Sequence, residues 1–124
     1  MKALFDTNIL IDYLNGVAKA KSELAQYESR AISPITWMEV MAGCEAAYEP
    51  KTRAFLASFT LVPIDADVAE RTVKLRRQSA TSRLKLPDAI ILASAIAYGG
   101  VLVTRNSKEF DAKLPIVRIP YVLK

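Results

Sequence analysis

Leu86-Pro87-Asp88-Ala89-Ile90-Ile91-Leu92-Ala93-Ser94-Ala95-Ile96-Ala97-Tyr98 is apolar on nearly every side of a helical wheel. A helix of that kind is buried all round and does not lie on a surface. Pro87 suits the first helical position, and Gly99-Gly100 suit the stop. Between Lys85 and Arg105 the one carboxylate or cation is Asp88. A lone carboxylate at the mouth of a core helix has two uses. It can favour the positive end of the helix dipole, worth roughly 0.3–1 kcal/mol, or it can face a polar pocket that takes a cation.

A helix buried on all sides needs layers around it, and the flanking sequence supplies them. Val101-Leu-Val-Thr104 reads as the strand that follows it. Working outward, Lys2–Phe5, Arg30–Ser33, Thr60–Ile64 and Ile116–Ile119 are the other strand candidates. Between them fall helical patterns: Ile9–Leu14, Ala18–Tyr27, a stretch from Pro34 to Cys44, Pro50–Ser58, and a helix carrying Val68, Ala69, Thr72 and Leu75. Ser33-Pro34 is a start signal, and Asp65 or Asp67 can cap the helix behind it. Strands alternating with helices predict an α/β fold with a parallel, doubly wound sheet. No repeat, low-complexity tract or linker divides residues 1–124, so one domain is expected.

Composition narrows the chemistry. The chain has 124 residues, 52% of them hydrophobic, enough for a real core and against disorder. No apolar run approaches a membrane span, and Asp6 cuts short the apolar start, so no signal peptide is read and a cytoplasmic location is expected. The single cysteine, Cys44, excludes an internal disulfide and reads as a buried, inert thiol. Histidine is absent, which removes Ser-His-Asp and Cys-His catalysis, histidine-ligated zinc and histidine-driven RNA cleavage. Carboxylates with a hard cation remain. A net charge of +4 suits a polyanionic partner.

Each acid has a structural and a functional reading. Asp6-Thr7-Asn8 sits where a strand hands over to a helix, so Asp6 is either a helix cap or a ligand at the carboxyl end of a strand. Glu39 falls with Ile35, Met38 and Ala42 on one apolar face, where a carboxylate needs an arginine partner or a metal. Trp37, Val40 and Met41 make the other face apolar too, as core or as a subunit interface. Asn106 and Glu109 follow a strand end, and Phe110 is read as the anchor of their loop. Asp12 reads as a solvated side chain outside any site. From Arg71 to Lys85 every charge is basic, which is either a solvated face or a phosphate-tracking surface leading to Asp88. Parallel strands send their carboxyl ends to one edge, so Asp6, Glu39, Asp88 and Glu109 can meet there. Clustered acids repel unless a cation joins them, and oxygen ligands select Mg2+ or Mn2+.

Leu4-Phe-Asp6-Thr-Asn8-Ile-Leu-Ile-Asp12, Ser33-Pro-Ile-Thr36-Trp-Met-Glu39-Val-Met-Ala-Gly43, Leu86-Pro-Asp88-Ala89 and Thr104-Arg-Asn106-Ser-Lys-Glu109-Phe110 together resemble the PIN-domain nucleases, closest to the VapC-type toxins of bacterial toxin–antitoxin pairs. The resemblance runs over essentially the whole chain. It implies a PIN-like three-layer sandwich, a five-stranded parallel sheet with helices on both faces. It implies a Mg2+- or Mn2+-dependent endoribonuclease acting on an RNA such as tRNA or rRNA. Asp6, Glu39 and Asp88 match the family's main acids. The fourth position falls to Glu109 or Asn106, and one or two metals are compatible with it. Thr7, Asn8 and Thr104, with Asn106, would steady the carboxylates, and Arg77, Arg83, Lys85 and Arg105 would contact RNA. The implied partners are a VapB-type antitoxin, which covers apolar surface and sends a basic side chain toward the acids, and a second copy of the chain. Three other readings stand beside this one. The opening motif is similar to that of haloacid-dehalogenase phosphatases, though Asn8 replaces their second aspartate. A receiver-like signalling domain would want a lysine where Arg105 stands. A PIN-like domain kept only for binding RNA or protein would not need its acids intact.

Overall fold

The computed structural model describes residues 1–78 and 80–123. Five strands form one parallel sheet in the order β3-β2-β1-β4-β5. They are β1 (Lys2–Phe5), β2 (Ser29–Ile32), β3 (Thr60–Leu61), β4 (Val101–Val103) and β5 (Val117–Arg118). The helices are α1 (Thr7–Leu14), α2 (Ala18–Ala25), α3 (Pro34–Ala42), α4 (Glu49–Ala57), α5 (Ala66–Arg77) and α6 (Leu86–Tyr98). The α/β sandwich with a five-stranded parallel sheet is the one expected. The edge strands β3 and β5 are shorter than their apolar runs suggested, two residues each. A 3-10 turn at Ala46–Tyr48, ahead of Pro50, was not anticipated.

Strand alternation divides the core into two layers. Leu4 of β1 lies beside Ala31 and Leu102, and all three face one side with Val117. There they meet Val68 and Leu75 of α5 and the buried run Ala89–Ala95 of α6. Ala3, Phe5, Ile32 and Val103 face the other side, against Ile9 and Leu10 of α1, Leu24 of α2, Val40 of α3 and Leu56 of α4. Phe5 holds that layer with edge-on contacts to Tyr27 and Phe59, at ring separations of 5.6 and 6.0 Å. Phe110 is 1% exposed and pins the loop after β4 into the first layer, as expected. Cys44 departs from expectation: it is half-buried, and its thiol lies 3.3 Å from the Thr52 hydroxyl.

Helix starts follow local chemistry. Ser33 accepts from the Ile35 amide and Asp65 from the Val68 amide, each closing an N-terminus. Gly99 ends α6 at φ +81°, a left-handed conformation open to glycine. Gly100 is required for a different reason. A Cβ there would stand 2.7 Å from the Lys2 carbonyl oxygen, because the turn into β4 runs against β1. Gly100→Ala should therefore lower stability by roughly 1–3 kcal/mol in urea unfolding. Gly43→Ala, whose Cβ would meet nothing nearer than 3.6 Å, should change it by less than about 0.5 kcal/mol.

Candidate active site

Asp6 leaves the end of the central strand β1. Its amide still donates to Val103 O at 2.9 Å, so the strand pairing carries it to the sheet edge. Its backbone is extended, and α1 begins at the next residue. One carboxylate oxygen accepts from the Thr7 amide at 2.8 Å. The other accepts from the Thr104 hydroxyl at 2.7 Å and from Asn8 Nδ2 at 3.3 Å. Asp6 therefore both caps α1 and presents a carboxylate at the carboxyl edge. Burial pushes that carboxyl up; the hydrogen bonds from Thr104, Thr7 and Asn8 oppose the shift, and the charge of Glu39 adds to it.

Glu39 reaches the same edge from α3. The helix buries Thr36 and Val40, so its inward face is not the one expected from Ile35, Met38, Glu39 and Ala42. Met38 is 51% exposed and Glu39 stands on the open side. An arginine partner was one expectation for Glu39; instead it accepts from the Thr7 hydroxyl at 2.6 Å, and among the described residues no ion pair involves it. The Thr7 hydroxyl lies 3.1 Å from that of Thr36, tying α1 to α3.

Asp88 occupies the first turn of α6, where Lys85 offers no side-chain cap. Its carboxyl is pushed up to about 6, first by burial and then by the charges of Asp6, Glu109 and Glu39, against the pull of Lys85. Acids from α6, β1, α3 and the loop after β4 thus share one electrostatic neighbourhood. Asn106 and Glu109 divide their tasks. Asn106 Oδ1 accepts from the Glu109 amide at 3.3 Å and the Asn106 amide donates to Thr104 Oγ1 at 3.0 Å, so Asn106 folds the loop while the charge of Glu109 acts on Asp88. Among the described residues, no three of these carboxylates are close enough as they stand to hold a metal ion. The donor set is nevertheless all oxygen, and the mutual repulsion around Asp88 is the kind a divalent cation relieves.

Of the basic candidates, Lys85 is the one whose charge acts on Asp88. Arg83 lines a cavity of about 390 Å³ with Lys108, Glu109 and Phe110, and Arg77 ends α5 in the open. The fourth, Arg105, is committed elsewhere. Its guanidinium donates to both oxygens of Asp12 at 2.6 and 3.0 Å, and Tyr121 Oη donates to the same carboxylate at 2.8 Å. This corrects the reading of Asp12 and adds a structural role to Arg105. Asp12 is 5% exposed, not solvated, and Arg105 is its ion-pair partner. Trp37 and Met41 are half-buried against the second core layer, with Arg53 stacked over the Trp37 ring at 5.4 Å. Exposed apolar side chains near Glu39 include Ile11, Leu14 and Tyr48, which line a groove of about 690 Å³ together with Glu39.

This sheet order and this acidic edge define a PIN-type α/β protein. The sequence model of the PIN domain family matches residues 3–113, and the chain belongs to that family. Within it, the relatives are of the VapC toxin type. Ribonuclease VapC10 of Mycobacterium tuberculosis is 30% identical over 112 residues, 86% of this chain and 84% of its own length. A protein of Shigella flexneri named tRNA(fMet)-specific endonuclease VapC is 27% identical over 120 residues, 90% of this chain and 91% of its own. A solved toxin–antitoxin complex from Klebsiella pneumoniae contains a chain 48% identical to this one, with a TM-score of 0.89 over 98% of this chain and all of the other. The family match stops at residue 113, so β5 and the segment after it lie beyond it.

The raised carboxyl of Asp88 has a consequence for stability. Its folded pKa of about 6 exceeds its ordinary 3.8, so between those values the folded chain holds more proton than the unfolded one. Stability contributed by this group is therefore lost as pH rises through about 6. Asp88→Asn should raise the melting temperature of the metal-free protein at pH 7.5, and the gain should fall to about half by pH 5, since the penalty vanishes only below the ordinary value of 3.8. Partial exposure of Asp88 holds the effect to about 1 kcal/mol, or roughly 3–5 °C. Differential scanning calorimetry at the two pH values measures it.

Proposed function

We propose that this chain is a metal-dependent endoribonuclease and the toxin of a toxin–antitoxin pair. The observation that carries the proposal is the gathering of Asp6, Glu39, Asp88 and Glu109 from separate elements onto one sheet edge, in a chain without histidine. The reaction is hydrolysis of an RNA phosphodiester: water adds to phosphorus, one P–O bond breaks, and the proton goes to the departing oxygen. Asp6 and Asp88 would be the principal ligands of Mg2+ or Mn2+, with Glu39 beside them. When bound, such an ion supplies an acidified water and a clamp on the phosphate.

The chain's own groups do the rest. Thr104 and the Thr7 amide hold the Asp6 carboxylate in one orientation, and the Thr7 hydroxyl does the same for Glu39. Glu39 would hold the attacking water. Glu109 would close the outer side of the site from a loop that Asn106 and Phe110 fix in place. Lys85, Arg83 and Arg77 would track the RNA backbone on the flank next to Asp88. The name of the Shigella relative points to tRNA as the substrate to test first. The Klebsiella complex supports an antitoxin partner. The groove at Ile11, Leu14 and Tyr48, which Glu39 also lines, is the apolar surface on which such a partner would end beside the acids. A homodimer and a cytoplasmic location belong to the same proposal. Among the described residues no helix is long and apolar enough to cross a membrane.

Cleavage of bulk tRNA in Mn2+, followed on denaturing gels, tests this reading. Asp6→Asn and Asp88→Asn should each lose at least about 100-fold in rate, roughly 2.7 kcal/mol of barrier, and EDTA should stop the wild type. Glu109→Gln should lose only about 10-fold. Equal rates for wild type and Asp6→Asn would overturn the assignment and favour a domain that only binds RNA or protein.

A further inference from the structure

Arg118 and Tyr121 lie beyond the family match, yet both reach back across the sheet to the helices behind the site. Arg118 of β5 donates to both oxygens of Glu23 on α2, at 2.6 and 3.0 Å. Three residues on, Tyr121 donates to Asp12 on α1. The carboxylate it meets is the one that already holds the Arg105 guanidinium by two hydrogen bonds. Asp12 and Tyr121 are 5% and 9% exposed, while the Arg105 side chain keeps 30% of its surface open, so the carboxylate is buried and the cation half-buried. In such a place a bidentate arginine pair has a preferred geometry, and removing Arg105 or the Tyr121 hydroxyl leaves the buried Asp12 carboxylate poorly met.

Arg105 stands between the two residues that carry the loop's work. Before it, Thr104 donates to the Asp6 carboxylate at 2.7 Å. After it, Asn106 accepts from the Glu109 amide. The backbone amide of Arg105 also donates to Asn8 Oδ1 at 3.1 Å, so both its main chain and its side chain are tied to α1. Asp12 takes the Nε and Nη2 donors of Arg105, so a phosphate at this 30% exposed side chain would meet only the remaining N–H groups.

Resting on the nuclease reading above, we infer that Tyr121, Asp12 and Arg105 form a strut by which the C-terminal segment positions the loop 104–109, and with it the Thr104 bond to Asp6 and the place of Glu109. Arg105 thus acts as a positioning residue, whatever its remaining N–H groups meet. The planar fork matters: a lysine keeps the charge but cannot span both Asp12 oxygens in a fixed plane.

Hydrogen exchange read by mass spectrometry on the full chain, alongside tRNA-cleavage kinetics in Mn2+, tests the strut with Tyr121→Phe and Arg105→Lys. Tyr121→Phe keeps the buried ring and removes one hydrogen bond, so it remains informative if Arg105→Lys folds poorly. Exchange in residues 104–110 should quicken about tenfold in both variants, with β1 and α6 unchanged, and kcat should fall about tenfold at constant KM for RNA. Unchanged exchange in 104–110, or the same increase everywhere, overturns the strut. So does wild-type cleavage by Arg105→Lys, the result for a simple phosphate contact. A wild type that cuts no RNA would instead contradict the nuclease reading, and the exchange comparison would still decide the strut.

Discussion

Acids of two kinds are held by hydrogen bonds in this chain, and what holds each kind separates structure from chemistry. Asp12 and Glu23 are neutralised by bidentate arginines, Arg105 and Arg118, and are saturated by tyrosine hydroxyls. Asp6 and Glu39 are held by hydroxyls, an amide and an asparagine, which orient a carboxylate without cancelling its charge. The result is oriented, uncompensated negative charge around Asp88, whose carboxyl responds by moving up to about 6. A fold that needed these acids only for stability would have paired them as it paired the others.

The parallel sheet makes that concentration of charge achievable. β1 and β4 are neighbours with their carboxyl ends together, so Asp6 and Thr104 come within hydrogen-bonding reach from 98 positions apart in sequence. The buried run of α6 fills one face of the sheet and delivers Asp88 to the same edge at its first turn. α3 brings Glu39 from the other side, with Thr7 as the link. The apolar layers thus hold the repelling groups in place, and the stability they surrender there is the usual companion of a working site.

The sequence made the architecture readable because its signals are local. The apolar run of α6, the Ser33-Pro34 start and the Gly99 stop each act within a few residues. Asp6 was readable as both cap and ligand, and it is placed to serve as both. Asp12 was not readable, because what decides its environment is Arg105 and Tyr121, 93 and 109 positions away. Position by position it looks like any polar residue in a short helix. Glu39 was assigned the wrong helix face for a related reason: α3 is apolar on several sides, so spacing alone does not say which side the sheet covers, and Thr36 proved to be the inward group. Arg105 looked like a free cation because the pairing that occupies it is invisible in one dimension.

The central claim is that the acids at this edge are arranged for a divalent cation. A crystal of the protein grown with Mn2+ at neutral pH, with data collected at the manganese absorption edge, tests it directly. The account predicts an anomalous peak bounded by the carboxylates of Asp6 and Asp88, with the Asp88 side chain drawn toward Asp6. No peak there at full manganese occupancy elsewhere in the crystal, or a peak that leaves Asp6 without contact, would contradict it.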